Sequence, residues 1–270
     1  MDHVDVNGLR IGYERAGSGP PLVLLQGFVA DGVATWRAQL DSLSDEFTVV
    51  AWDAPGAGRS TDPPPGFGIA DYAECLSGLV TSLDFPRAHV AGLSFGGIVA
   101  LELLRCHREV PMSLVLAGAY AGWTGSLGRA VAEERLRFCE RMATLPPDEF
   151  AAAMVPSMFS PSAPPDRVAD FTASVARFRP AGFLAMARAS AEADLTDVLG
   201  DLDLPTLLLY GDADVRAPLD VGRHLHEAIP GSRLVVLPGV GHASSVEAAE
   251  LVDREIRSFL RERGERSTAG

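Results

Sequence analysis

Apolar and polar residues alternate at the start of the chain and then gather into short continuous apolar runs. Segments 4–6 and 9–13 alternate around Asn7-Gly8, a dipeptide that favours a two-residue hairpin turn. Continuous runs follow at positions 22–25, 47–52, 88–90, 113–117, 205–210 and 234–237. Because such runs are typical of strands covered on both faces, the pattern predicts an antiparallel pair followed by a parallel sheet.

Segments with helical spacing lie between most of these runs. One apolar stripe extends from Ile69 to Leu83, and further helices are predicted at 95–104 and 219–229. Ser244-Ser245-Val246-Glu247 has the form of a capping box and predicts the start of a last helix. Strands that alternate with helices in this way are typical of an α/β fold with right-handed crossovers.

The alternation lapses between the sixth and seventh predicted strands. Residues 120–195 contain helical stretches at 130–142 and 173–193, several proline clusters and six of the twelve phenylalanines. We interpret residues 120–195 as a helical cap over the sheet edge, and residues 1–119 with 196–270 as the core domain. The predicted fold class is therefore α/β, with a mostly parallel eight-stranded sheet, flanking helices and a cap inserted between strands 6 and 7.

Composition narrows the function classes. The 270 residues include 36 acidic and 23 basic side chains, for a formal net charge of −13, and 47% are hydrophobic. An acidic surface repels phosphate backbones and anionic lipids, which argues against nucleic-acid and membrane partners. The three cysteines are dispersed, and neither a secretory leader nor a transmembrane run is evident. We expect a soluble cytoplasmic protein that acts on a small molecule, and the absence of lysine suggests a GC-rich bacterial genome; a homodimer is left open.

The segment Gly92-Leu93-Ser94-Phe95-Gly96 stands where a predicted strand passes into a predicted helix. Glycines on both sides of Ser94 permit a sharp, strained turn that exposes the hydroxyl and points helix N–H groups at whatever it attacks. The alternative is an ordinary glycine-rich turn with an exposed serine. The catalytic interpretation requires a base to take the hydroxyl proton and a carboxylate to orient that base.

Two loops after later predicted strands supply these groups. His242 follows the last strand in a glycine-framed loop, and Asp212 and Asp214 follow the strand at 205–210. Carboxyl ends of parallel strands meet at one edge of a sheet, so these side chains should lie near Ser94. Asp212, beside the turn glycine, could simply hydrogen-bond its loop, whereas Asp214 reaches further over the edge.

These motifs together resemble the α/β-hydrolase family, in the branch that carries a cap. The resemblance covers essentially the whole chain and includes Gln26-Gly27-Phe28, the loop 53–60, the Ser94 turn, and the Asp214 and His242 loops. It implies Asp214 rather than Asp212 as the acid. It also implies an oxyanion hole built from the backbone N–H groups of Phe28 and Phe95. The family usually has His-Gly where this chain has Gln26-Gly27, and we expect Gln26 to hold that loop.

A substrate pocket is predicted where the cap covers Ser94. Core packing is the alternative for each apolar residue in it. The candidate pocket residues are Gln26, Trp123, Phe138, Met142, Met158 and Phe159. An arginine of the cap that points inward would select a carboxylate-bearing substrate.

The hypothesis is a Ser-His-Asp hydrolase, similar to carboxylesterases and lactonases, that cleaves an ester, thioester or lactone of a largely apolar small molecule. Ser94 would form the acyl-enzyme, His242 would act as base and then acid, and Asp214 would orient His242. This chemistry needs no metal and no organic cofactor. Two alternatives remain: a hydrolase of carbon–carbon bonds in ring-cleavage products, and a small-molecule sensor on the same fold that does not turn over its ligand.

Overall fold

A computed structural model describes residues 2–267, with side chains up to residue 262. Within that range the strands form one eight-stranded sheet in the order β1-β2-β4-β3-β5-β6-β7-β8. The strands are β1 (Asp2–Val6), β2 (Leu9–Ala16), β3 (Pro21–Leu25), β4 (Thr48–Trp52), β5 (Ala88–Leu93), β6 (Pro111–Ala117), β7 (Thr206–Gly211) and β8 (Arg233–Leu237). The β1–β2 and β2–β4 pairs are antiparallel, and all the other neighbouring strands are parallel. The predicted architecture is confirmed.

The α-helices of the described residues flank this sheet and fill the long connection between β6 and β7. They are α1 (Gly32–Ser42), α2 (Ile69–Ser82), α3 (Phe95–Cys106), α4 (Trp123–Leu127), α5 (Arg129–Met142), α6 (Pro147–Met154), α7 (Pro165–Val175), α8 (Pro180–Glu192), α9 (Thr196–Leu199), α10 (Leu219–Ala228), α11 (Ser244–Glu247) and α12 (Ala249–Ser267). Short 3-10 turns lie at Leu43–Asp45 and Val155–Ser157. None of the helices in the described range has the length and hydropathy of a membrane span.

The first hairpin turns at the predicted dipeptide. Asn7 and Gly8 both have positive φ, 50° and 80° respectively. Two consecutive residues in the left-handed region are what a type I′ turn requires. The turn therefore fixes the register in which Val6 lies opposite Leu9.

Alternate residues of the parallel strands enter two separate cores. Leu22 and Leu24 of β3 belong to a cluster with Trp36 of α1 and Phe259 of α12. The intervening residues of β3 belong to a second cluster on the other face, with α2, α3 and much of the cap. The period-two alternation of a strand explains this division. Because one core continues into the cap, the cap rests directly on the sheet's edge.

The segment between β6 and β7 is helical, as predicted. Helices α4 to α9 occupy residues 123–199, and that stretch contains no strand. Its separation from the core as a domain of residues 120–195 stays a prediction.

Two predicted elements were wrong in detail. The helical stretch at 173–193 is divided between α7 and α8, with Arg179 in an extended conformation before Pro180. Proline disfavours helical geometry in the preceding residue and lacks the N–H that would continue the helix. Pro180 therefore interrupts the helix that apolar spacing alone predicted to be continuous.

The capping box at Ser244 also does not form. Ala243 occupies the N-cap position of α11, and the Ser244 hydroxyl has no hydrogen-bond partner among the described residues. The helix is interrupted at Ala248 before α12 begins. Glu247, predicted to bond its own helix terminus, instead accepts hydrogen bonds from the Gly241 and Ser160 backbone N–H groups. Tertiary partners displaced the local motif.

Candidate active site

Ser94 occupies a strained turn between β5 and α3. Its φ of 54° and ψ of −109° lie outside the regions that side-chain-bearing residues favour, and its N–H donates to the Ala117 carbonyl over 2.8 Å. A methyl group at Gly92 would overlap the backbone of Gly96, and one at Gly96 would overlap the Leu25 carbonyl. Both glycines of the motif are thus required by close backbone packing around the turn. The side chain itself is held at the sheet edge.

His242 and Asp214 form a buried pair. His242 Nδ1 lies 2.7 Å from Asp214 Oδ2, and each side chain is 1% exposed. The other carboxylate oxygen, Oδ1, accepts from the backbone N–H groups of Arg216 and Ala217 over 2.7 and 2.8 Å. Because both oxygens are held, the carboxylate can fix the orientation of the imidazole. The contact leaves Nε2 as the ring nitrogen that can serve another partner.

Ser94 and the His242–Asp214 pair meet at the carboxyl end of β6. The Ala117 carbonyl accepts the Ser94 N–H, and Gly118 is the next residue. A Cβ added to Gly118 would lie 3.1 Å from His242 Nδ1 and 3.3 Å from Asp214 Oδ2. Gly118 has a φ of 50°, so both its conformation and its lack of a side chain suit this place. Ala117 therefore contacts Ser94, and the adjacent Gly118 contacts the His242–Asp214 pair.

No direct hydrogen bond joins Ser94 and His242, both of which the structure describes. In enzymes without substrate, such bonds are often long and tighten only when the substrate binds. The arrangement brings the predicted nucleophile and base to one edge of the sheet. Their catalytic roles belong to the proposal below.

Asp212 makes a different contact from Asp214. Its Oδ1 accepts from the Gly239 N–H over 2.6 Å, and the residue is exposed. This bond ties the β7 loop to the β8 loop. Asp212 therefore hydrogen-bonds a neighbouring loop, which is close to the alternative role predicted for it.

The Phe28 loop lies beside Ser94. A Cβ on Gly27 would be 3.8 Å from Ser94 Cβ. Gln26 is fully buried; its Nε2 donates to the Ala30 carbonyl and its Oε1 accepts from the Ala54 N–H, each over 3.1 Å. Gln26 thus holds the loop in shape, as expected. Phe95 begins α3, where an N–H has no acceptor within the helix. The oxyanion hole of Phe28 and Phe95 stays a prediction.

The loop of residues 53–60 has a structural role. Asp53 is buried and accepts from the Gly32 N–H, from the Arg59 N–H and from Arg59 Nε. These bonds join the loop after β4 to the start of α1 and fold the loop back on itself.

Three predicted pocket residues lie near the site. The Trp123 ring meets the Phe28 ring edge-on at 5.7 Å. The Met158 carbonyl accepts from the Ala243 N–H over 2.7 Å, and the Phe159 backbone packs against Gly241. These contacts place the cap segment that contains Met158 and Phe159 directly beside the His242 loop.

The other two cap residues lie elsewhere. Phe138 is 37% exposed, and the Arg141 guanidinium lies over its ring. Met142 is half-buried and packs against the core that the cap shares with the sheet. For every candidate pocket residue, Gln26 included, contact with a substrate stays a prediction.

A large cavity lies next to this site rather than on it. Its volume is about 880 Å³, and it opens between α1 and the cap helices α7 and α8. Aromatic rings of Phe28, Phe171, Phe178 and Phe183 contribute to its walls. Of the predicted site residues, Phe28 contributes to the lining, whereas Ser94, Asp214 and His242 do not. Phe28 therefore contacts both the loop beside Ser94 and a cavity large enough for a small molecule.

Sequence reasoning missed a polar group of side chains above the site. The Arg135 guanidinium donates to the Tyr120 hydroxyl and to the Arg216 carbonyl, each over 2.9 Å, and the Tyr120 hydroxyl also donates to that carbonyl. Arg216 Nη1 donates to the Ser157 hydroxyl over 2.7 Å. Burial lowers the pKa of Arg216 and raises the pKa of Tyr120. Arg216 could have been found from its position, because it follows Asp214 on the same loop.

Comparisons with known proteins identify the fold family. The profile of the alpha/beta hydrolase fold family matches residues 20–249. A thermophilic esterase from Thermogutta terrifontis, solved with malate bound, is 30% identical with a TM-score of 0.89, covering 97% of this chain and 99% of that chain. The enol-lactonase of Burkholderia xenovorans LB400 is 26% identical with a TM-score of 0.84, covering 96% and 100% respectively. A Pseudomonas syringae pv. syringae protein provisionally named carbamate hydrolase RutD is 30% identical over 89% of this chain and 93% of that protein. The chain belongs to the α/β-hydrolase fold family.

Proposed function

We propose that this protein is a serine hydrolase that cleaves an ester, thioester or lactone of a largely apolar small molecule through an acyl-enzyme on Ser94. The observation that carries the proposal is the convergence of Ser94 with the His242–Asp214 pair on Ala117 and Gly118. A glycine-rich turn with an ordinary serine would require neither the strained Ser94 backbone nor a buried histidine–carboxylate pair beside it.

The reaction begins when Ser94 Oγ attacks the substrate carbonyl carbon and His242 Nε2 takes the hydroxyl proton. Asp214 stabilises the resulting imidazolium through the bond to Nδ1. Negative charge develops on the carbonyl oxygen, where the N–H groups of Phe28 and Phe95 would donate; each such donor contributes about 3–4 kcal/mol in hydrolases of this kind. Collapse of the intermediate expels the alcohol or thiol, which His242 protonates.

Water completes the cycle. His242 removes a proton from a water molecule that attacks the acyl carbon, and the returning proton restores the Ser94 hydroxyl as the acid leaves. For a lactone the expelled hydroxyl stays attached to the acyl group, so a single hydroxy acid is released. Each step uses only groups of this chain and water.

The aromatic residues around Phe28 support the proposal that the substrate is largely apolar. Its ring contacts Trp123 edge-on at 5.7 Å and stacks on Phe183 at 5.3 Å. The names of two structural neighbours, an esterase and an enol-lactonase, also favour ester and lactone chemistry.

A fluorophosphonate probe tests the proposal, because it reacts only with an activated serine. We expect it to label the wild type and not Ser94→Ala. Absence of labelling in both proteins would favour a sensor without turnover. A panel of aryl esters of increasing acyl length, lactones, a carbamate ester and a dienoate ring-cleavage product would then define the bond that is cleaved.

A further inference from the structure

Arg216 brings a positive charge next to the candidate active site. It lies two positions after Asp214, and its backbone N–H donates to that carboxylate over 2.7 Å. Its guanidinium carbon lies 5.9 Å from the centre of the Phe28 ring, on the loop that packs against Ser94. Nη1 donates to the Ser157 hydroxyl of the cap over 2.7 Å. The guanidinium thus stands where the Asp214 loop, the Phe28 loop and the cap meet.

This cation has no carboxylate partner among the residues that the structure describes. Its Nε and Nη2 donate to none of them, and the half-buried side chain does not seal these two nitrogens from solvent. Burial lowers the pKa of Arg216, which means that the surrounding protein disfavours the charge. By contrast, Arg59, Arg167 and Arg179 around the large cavity pair with Asp53, Glu250 and Asp62. A half-buried guanidinium that has no carboxylate partner and two solvent-accessible N–H groups can bind an anion.

Arg135 adds a second positive charge at the same place. Its guanidinium lies over the rings of Tyr120 and Trp123, at 5.4 and 5.8 Å, and donates to the Arg216 carbonyl. No described carboxylate forms an ion pair with it either. The like charge of Arg135 further lowers the pKa of Arg216. Asp214, the acid on the same loop, is engaged by His242 and by two backbone N–H groups. Two neighbouring guanidinium groups without an ion-pair partner therefore favour the binding of an anion.

We propose that Arg216 binds a carboxylate of the substrate, so that the preferred substrates are esters or lactones that carry a second, ionised carboxyl group. Nε and Nη2 lie on one edge of the planar guanidinium and can donate to both oxygens of a carboxylate. The Phe28 and Trp123 rings would contact the carbon chain between that carboxylate and the scissile bond. This inference rests on the proposed function and specifies its substrate class.

The alternative is that Arg216 only ties the cap to the Asp214 loop through Ser157. Two variants separate these roles. Arg216→Gln removes the charge, whereas Ser157→Ala removes the hydroxyl to which the guanidinium is tied and keeps the charge. A purely structural role predicts similar effects for both, on every substrate.

Matched substrates give the readout. We would compare the p-nitrophenyl half-ester of adipic acid, and those of longer diacids, with the corresponding monoamides, which have the same length and leaving group but no charge. We expect wild-type kcat/KM to be about 10- to 100-fold higher for the acids, the range of a charge-assisted pair. Because Ser94 fixes the position of the ester and Arg216 that of the carboxylate, we expect one length of diacid to be preferred. Arg216→Gln should bring the acid-to-amide ratio close to unity, and Ser157→Ala should retain the preference.

Equal losses on acid and amide in Arg216→Gln, or a wild type that prefers the amide, would overturn the inference while leaving the hydrolase proposal standing. Calorimetric titration with adipate tests recognition independently of turnover. Tighter binding to wild type than to Arg216→Gln supports the carboxylate site even if no ester is cleaved, and equal binding contradicts it. Fluorophosphonate labelling reports on Ser94 separately, so the two failures are distinguishable.

Discussion

Hydrogen bonds hold both oxygens of the Asp214 carboxylate. Oδ2 contacts the imidazole, and Oδ1 accepts two backbone N–H groups of the loop that follows. A carboxylate held on both sides keeps the ring in one tautomer and stabilises its protonated form. Asp212, two positions earlier, bonds only the Gly239 N–H and is exposed.

Asp214→Asn should therefore abolish most of the turnover. The amide keeps the size of the side chain but removes the charge that stabilises protonated His242, and we expect kcat to fall by about 10³–10⁴-fold. Asp212→Asn is the matched control and should change kcat less than about threefold. Steady-state kinetics on a chromogenic ester measure both. Similar losses in the two variants would contradict the assignment of Asp214.

His89 makes the stability depend on pH. It lies in β5 with Nδ1 at 2.8 Å from the Ser113 hydroxyl, and burial lowers its pKa to about 4. Below the ordinary pKa of about 6.5 the unfolded chain binds a proton that the folded chain does not, so stability falls as pH decreases from about 6.5 to about 4. Above that window this histidine contributes no slope.

His89→Gln should remove this contribution. The unfolding free energy of the wild type should lose roughly 2–3 kcal/mol relative to the variant between pH 6.5 and pH 4, a range set by the shift in pKa. Urea unfolding at a series of pH values measures the difference. A difference between the two proteins that does not change with pH would show that His89 is not the cause.

At the residue scale, sequence indicated the groups whose roles follow from local chemistry. The glycines around Ser94, and Asp214 with His242 after strands, were predicted because the chemistry restricts both residue type and location. The position of Arg216 beside the site was not predicted, because an inward-pointing arginine was expected only in the cap. Its environment depends on Ser157 and Phe28, which are distant in sequence.

Glu247 joins two elements at the site. Its carboxylate accepts from the Gly241 N–H over 3.0 Å, from the Ser160 N–H over 3.1 Å and from the Ser160 hydroxyl. Gly241 precedes His242, and Ser160 belongs to the cap. This buried side chain therefore fastens the cap segment 158–160 to the loop that carries the predicted base.

Glu247→Gln should weaken this connection. The amide oxygen can accept from the two backbone N–H groups, but the amide N–H then faces Ser160, whose hydroxyl must accept instead of donating. The charge-assisted hydrogen bonds of the carboxylate are lost, at a cost of about 1–3 kcal/mol. Glu250→Gln is the control, because Glu250 is an exposed partner of Arg167 and such pairs contribute less than about 1 kcal/mol. The midpoint temperature of thermal unfolding and kcat should both fall in Glu247→Gln. Equal stability of the two variants would refute the role.

The turn of Ser94 is sensitive to any added side chain. A methyl group at Gly96 would overlap the Leu25 carbonyl, whereas one at Gly200 meets nothing within 4 Å and has a φ of −68°. Gly96→Ala should lower the unfolding free energy by more than about 2 kcal/mol through steric displacement of β3 or α3. Gly200→Ala should be neutral or slightly stabilising. Calorimetric unfolding of both distinguishes steric clash from helix propensity, which alone would favour alanine at Gly96.

At the element scale, the strands and most helices were predictable because apolar period and burial coincide in them. The Asn7-Gly8 hairpin follows from local conformational preference alone. The capping box failed because Glu247 has better partners in Ser160 and Gly241 than in its own helix terminus. Such competition is decided by residues far away in the chain and cannot be read from four adjacent letters.

The whole molecule places one core on each face of the sheet, and one of these continues into the cap. The strand order could be expected once the resemblance to a family was seen, but neither the position of the cavity beside Phe28 nor the contacts of the cap could. These depend on how six helices pack between β6 and β7, which apolar spacing does not determine.

Trapping of the acyl-enzyme would show whether Ser94 is the nucleophile. The wild type would be mixed with excess p-nitrophenyl butyrate, quenched in acid within the first turnover and analysed by intact-protein and peptide mass spectrometry. We expect one butyryl adduct, located on Ser94, that forms together with a burst of p-nitrophenol. An adduct on another residue, or hydrolysis by Ser94→Ala at the wild-type rate, would contradict the account.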